Sequence, residues 1–84
     1  MDENSLQISE KILIVLHNYG AVDRGRSKKS DELAQILQVD VGEINPILEK
    51  QAAEGYVTSF IDEQQNRRHY LTRVGIIRVC SFFS

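Results

Sequence analysis

The sequence predicts a mostly helical α+β fold: three helices, a β-hairpin and a C-terminal helix. Three observations predict it. Apolar residues recur at helical spacing in four segments. A β-branched and aromatic run at 56–61 is followed by a polar pentapeptide and a second short run. Glycines stand where two of the helices need to stop. The 84 residues fit one domain, 1–84, against about 100–200 residues for a typical one.

Hydrophobic residues make up 42% of the chain and charged residues 26%, an ordinary globular balance. No apolar run approaches the roughly 18 residues of a membrane span, so a membrane span is excluded along with a disordered polyampholyte or a collagen-like fibre, and no membrane partner is expected. The formal net charge is −2, which excludes a polybasic nucleic-acid coat. A single cysteine, Cys80, has no internal disulfide partner, and the acidic start Met1-Asp2-Glu3-Asn4 lacks the basic region of a signal peptide. A cytoplasmic location is expected.

The first helix is predicted over 6–19. Ile8, Ile12, Val15, Leu16 and Tyr19 follow the i, i+3, i+4, i+7 spacing, Ser5 or Ser9 can cap its start, and Gly20 suits its end. Residues 20–29 form a loop with a short extended piece at 26–29. Ser30 then reads as the cap of a second helix, 31–37, with Asp31 and Glu32 in the first turn, where the helix dipole favours acids.

A turn at Val39–Gly42 leads to the third helix. Asp40 and Glu43 have capping-box spacing, which favours a start at 41. Pro46 favours a later start, with Asn45 as cap. The expectation is a bent first turn at 41–44 and a regular helix over 46–54 that ends at Gly55. The strands are Tyr56–Ile61 and Arg67–Leu71, and Asp62–Asn66 is the hairpin tip. Thr72 caps a last helix over 73–83.

A short helix, a tight turn, a second helix ending in Glu54-Gly55-Tyr56-Val57, and then a hairpin resemble the winged helix-turn-helix fold. Ser30–Leu37, the turn Val39–Gly42 and Ile44–Gly55 match its motif, and the hairpin 56–71 matches its wing. Tyr70-Leu71-Thr72-Arg73-Val74-Gly75 is similar to the usual exit from that wing. The resemblance spans about residues 8–80. Within the fold the chain looks most like small regulators related to the multiple-antibiotic-resistance and arsenical repressors, including archaeal ones. The resemblance implies a dimeric protein that binds double-stranded DNA and regulates transcription, with its third helix in the major groove.

The residues offer candidates for that role. Asn45, Lys50 and Gln51 lie on the predicted outward side of the third helix and have groups suited to base edges or phosphates. Glu43 and Glu49 on the same side oppose phosphate. Arg67, Arg68 and His69 follow the hairpin tip, where arginines can reach the minor groove or the backbone. Lys28, Lys29 and Ser30 precede the second helix, whose N-terminus favours anions. Six of the ten lysines and arginines fall in 24–29 and 67–68, so the negative total conceals two basic segments. Each pattern has a plainer reading as a solvated face or a charge-protected strand edge.

The last helix is unusually apolar for an end segment. Val74, Ile77 and Phe82 fall on a different side from Ile76, Val79 and Phe83. Burying three or four such side chains, at roughly 1.5–3 kcal/mol each, can hold a dimer. Ile8, Ile12, Ile76, Ile77, Cys80 and Phe83 are the candidate interface residues. The alternative is that the first helix covers this surface within one chain.

No catalytic residue, metal ligand set or cofactor site is predicted. His17 and His69 are far apart, and no zinc spacing or phosphate-binding glycine loop is present. The competing function is a winged helix that serves as a protein–protein interaction module in a larger assembly. The acidic third helix favours that alternative.

Overall fold

The computed structural model describes residues 6–83. The elements run α1 (Ile8–Asn18), a 3₁₀ turn (Arg24–Arg26), β1 (Lys28–Lys29), α2 (Ser30–Leu37), α3 (Val41–Ala53), β2 (Val57–Ile61), β3 (Arg67–Leu71) and α4 (Arg73–Ser81). The three strands form one antiparallel sheet in the order β1-β3-β2, with Lys28 opposite His69 and Val57 opposite Leu71. Three helices, a hairpin and a C-terminal helix appear in the predicted order.

One core joins these elements. Ile12, Leu13 and Leu16 of α1 meet Leu33 and Ala34 of α2, Ile44 and Leu48 of α3, Val57 and Leu71 of the hairpin, and Val79 of α4. Each of the first three helices contributes residues one turn or less apart, as burial of one helical face requires. The loop after α1 is tied to the sheet where the Leu71 N–H donates to the Ala21 carbonyl at 2.8 Å. Gly20 and Gly55 follow α1 and α3 with φ of 68° and 86°, a left-handed conformation that glycine adopts without a Cβ penalty.

Several helix starts differ from expectation. The cap of α1 is Gln7, whose N–H donates to the Glu10 carboxylate at 3.1 Å. Ser9 is therefore not the cap, and Ser5 lies outside the described residues, as do the acidic first residues and Ser84. The cap of α2 is Lys29, whose N–H donates to Glu32 at 2.9 Å, and Ser30 is the first helical residue. Asp40 precedes α3 without a side-chain capping bond, so the expected Asp40–Glu43 box is not formed.

The largest difference is at Pro46. The third helix runs unbroken from Val41 through Pro46, where an irregular first turn was expected. Ile44, Leu48 and Gln51 are buried on both sides of the proline, so packing holds one helical register across it. Proline removes only the bond to the carbonyl of Gly42, an exposed residue whose carbonyl water can satisfy.

Helix α4 begins as predicted, with the Gly75 N–H donating to the Thr72 hydroxyl oxygen at 3.0 Å. Gly75 is buried against the Tyr56 carbonyl, so close that a Cβ there would overlap the oxygen. At the far end the expected sides of the two phenylalanines are exchanged. Phe82 packs against the core and Phe83 is 71% exposed. The regular helix stops at Ser81, so helical spacing no longer governs these two positions.

Candidate nucleic-acid interface

The outer side of α3 and the adjoining wing form the candidate surface. Gly42, Glu43, Pro46, Glu49 and Lys50 are exposed along α3, and Asn45 is half-buried. The Asn45 Oδ1 is enclosed without a hydrogen-bond partner, and Lys50 is the one basic residue of this helix. Gln51 is only 4% exposed and points inward, where its Nε2 donates to the Ser9 carbonyl at 2.8 Å. It ties α3 to α1 and cannot read a base, contrary to the sequence expectation. The signal was available: Gln51 stands three residues after Leu48 and seven after Ile44, on the buried stripe.

The hairpin alternates as the pleat demands. Val57, Ser59, His69 and Leu71 lie toward the helices, and Thr58, Phe60, Arg68 and Tyr70 lie on the opposite face. His69 is 1% exposed, so it is not a DNA-facing residue. Leu71, two residues on, marks its face as the buried one. The imidazole lies between two hydroxyls, with Ser30 Oγ 2.7 Å from Nε2 and Ser59 Oγ 2.7 Å from Nδ1. Burial, with a smaller contribution from the nearby Arg67 charge, lowers its pKa from the usual 6.5 to about 4. The ring is neutral at pH 7 and fastens the start of α2 to both wing strands. Ser30 is buried and its hydroxyl is committed to this bond, so it does not present that hydroxyl to a phosphate.

The two wing arginines have different surroundings. Arg68 donates to Ser27 twice, to Oγ at 2.9 Å and to the carbonyl at 2.7 Å, and lies 3.5 Å from Asp62. Asp62 also accepts from the Gln64 and Asn66 N–H groups, which with Arg68 hold its carboxyl below the ordinary range. Arg68 therefore clamps the wing to the segment before α2. Arg67 is exposed and meets Glu49 of α3 at 3.3 Å.

The first basic segment is also partly engaged. Arg26 pairs with Asp23 at 2.8 Å and Lys28 lies 4.0 Å from Glu32. The Arg24 guanidinium stacks 3.9 Å over the Phe60 ring, which meets Tyr70 edge-on. Lys28 also approaches the Tyr19 ring at 5.0 Å. Within the two basic segments and α3, Arg24, Lys29 and Lys50 have no carboxylate partner. Strand register puts Lys29 opposite Arg68 and Lys28 opposite His69, so the basic segment and the wing share one sheet.

Away from this surface, α4 exposes Val74, Ile77 and Phe83 at 52%, 63% and 71%, with Cys80 also exposed between them. Val74, Ile77 and Cys80, each three apart, make a slanted apolar stripe on α4, and Phe83 lies just beyond its end. Ile12 is fully buried within the chain, and Ile8 and Ile76 pack against the same core, so Ile12 is removed from the candidate interface. Among the described residues there is no cluster of three or more potential metal ligands, and no helix is long and apolar enough to cross a membrane.

No protein-family model matches the chain, and no curated protein matches it. Solved structures do. MepR, a transcription regulator of the Staphylococcus aureus multidrug efflux pump MepA, superposes with a TM-score of 0.79 at 18% identity, over 92% of this chain and 54% of MepR. The S. aureus MepR–DNA complex gives 0.78 at 18% identity, over 95% and 63%. A mutant MarR from E. coli complexed with operator DNA gives 0.73 at 20% identity, over 87% and 49%. The chain thus spans about half the length of the structures it matches. At these identities the likeness is one of fold: the chain is a winged helix-turn-helix of the kind seen in MarR and MepR.

Proposed function

We propose that the chain is a winged-helix DNA-binding regulator of transcription that acts as a homodimer. The observation that carries this reading is the juxtaposition of an exposed, polar α3 with a wing and a basic segment on the adjoining sheet. In this arrangement α3 enters the major groove, with Lys50 and Asn45 as its contacts. Lys28, Lys29 and Arg67 reach phosphates on either side. Arg68 serves indirectly by fixing the angle of the wing. The DNA complexes of the similarly folded MepR and MarR support DNA binding as the role of this fold here. The exposed Val74, Ile77, Cys80 and Phe83 supply the dimer surface.

The test is titration of a labelled mixed-sequence duplex at low salt. Binding is expected to weaken on Lys50→Ala and Lys29→Ala, with the slope of log affinity against log salt falling by about 0.9 for each phosphate no longer neutralised. Absence of binding by the intact chain overturns the reading. A second reading, a protein-interaction module, draws on the exposed Asp40, Glu43 and Glu49 and on the ion pairs that occupy Arg26, Lys28, Arg67 and Arg68. It becomes the favoured one if DNA binding is absent.

A further inference from the structure

We infer that Glu49 competes with DNA phosphate for the Arg67 guanidinium, so that the α3–wing ion pair sets how tightly the chain holds DNA. The inference rests on the DNA-binding reading above. Arg67 opens β3, opposite Ile61, and its side chain crosses to the middle of α3, where Nη1 meets Glu49 Oε1 at 3.3 Å. The pair spans the two elements that would grip DNA. Both side chains remain at the surface, 43% and 64% exposed.

The neighbouring arginine shows why this pair is a latch and not a clamp. The partner of Arg68 is Asp62, which is itself held by two backbone N–H groups of the wing tip. Asp62 cannot swing away from Arg68 without giving up those two bonds. The Glu49 side chain makes no other hydrogen bond among the described residues, so it can swing away at little cost. Beneath the pair lies a small cleft of about 160 Å³ lined by Leu48, Ala52, Ser59 and His69, which offers Arg67 no second carboxylate. A released Arg67 is thus free to meet a phosphate. A carboxylate at this position occupies the guanidinium in the free protein and adds a negative charge beside the groove when the pair opens.

The experiment is a double-mutant cycle read by fluorescence anisotropy, with a labelled mixed-sequence duplex at several salt concentrations. It uses the full chain, Glu49→Gln, Arg67→Ala and the double variant, with thermal unfolding to verify that each folds. Glu49→Gln is expected to tighten binding about fivefold, the scale of losing an exposed ion pair. In the Arg67→Ala background the same substitution is expected to give a clearly smaller gain. Arg67→Ala is expected to flatten the salt slope by about 0.9 when introduced into Glu49→Gln. Equal gains in both backgrounds overturn the latch and leave the DNA reading standing, because Glu49 then acts only by repulsion. No binding by any of the four proteins overturns both.

Discussion

Acidification is expected to unlock the hairpin from α2 through His69. The imidazole is buried between Ser30 and Ser59, and its pKa is about 4 against 6.5 for an ordinary histidine. Between these values the unfolded chain binds a proton that the folded chain refuses, so folding stability rises with pH across this window. The contribution is fully present above pH 6.5 and is lost as pH falls toward 4. Each pH unit is worth about 1.4 kcal/mol, so the loss reaches roughly 2 kcal/mol by pH 5 and about 3 kcal/mol at its limit. Urea unfolding at a series of pH values, compared with His69→Gln, isolates the effect. Contributions common to both proteins cancel in the comparison. The parent is expected to lose stability faster than the variant between pH 6.5 and 5. Parallel curves, or an NMR titration placing the folded imidazole near 6.5, would refute the reasoning.

Three further outcomes follow from particular contacts. Gly75→Ala should raise helix propensity by about 1 kcal/mol, but its Cβ would overlap the Tyr56 carbonyl and crowd Leu71 Cδ2 at 2.9 Å. Overpacking should prevail, with a net loss of about 2 kcal/mol in denaturant unfolding; a stabilised variant would contradict this geometry. Arg68→Ala removes two hydrogen bonds to Ser27 and the Asp62 pair. It should cost about 2 kcal/mol and speed amide exchange in β1 and the wing, and Arg68→Lys should recover little because lysine lacks the fork. Ile77→Glu, at a position 63% exposed, should change monomer stability by less than about 0.5 kcal/mol. Light scattering should nevertheless show it as a monomer where the parent is a dimer; a monomeric parent would remove the proposed interface.

The fold was legible because its elements are punctuated by residues with one strong physical reason each. Thr72 caps α4, Gly20 and Gly55 end their helices, and the polar stretch 62–66 can only turn. Site residues were less legible because polar chemistry does not reveal burial. Gln51 and His69 carry groups that could meet DNA, yet each lies on the apolar side of its element and bonds internally. Periodicity held the clue in both cases, since Gln51 continues the Ile44–Leu48 stripe and His69 alternates with Leu71. Pro46 was misleading for the opposite reason. Its local penalty is real, but burial of Ile44 and Leu48 on either side outweighs one missing bond. Glu49, which meets Arg67, and Ser27, which meets Arg68, lie 18 and 41 residues away, beyond the reach of any local pattern.

The distribution of ion pairs bears on why two copies would be needed. Of the six cations in the two basic segments, Arg26, Lys28, Arg67 and Arg68 each have a carboxylate within 4.0 Å. Arg24 is stacked on Phe60. Lys29 on β1 and the separate Lys50 on α3 have no carboxylate to displace before they engage a phosphate. Nonspecific DNA affinity scales with the number of phosphates neutralised, so a single chain with net charge −2 should bind weakly. Joining two chains through the α4 stripe doubles the phosphate contacts and makes the second engagement intramolecular, which raises affinity without any new basic residue. On this reasoning the apolar stripe and the sparse charge of the DNA-facing side are linked, and Ile77→Glu should weaken DNA binding although Ile77 lies away from the proposed DNA surface. Unchanged affinity in a variant shown to be monomeric would separate the two and refute the link.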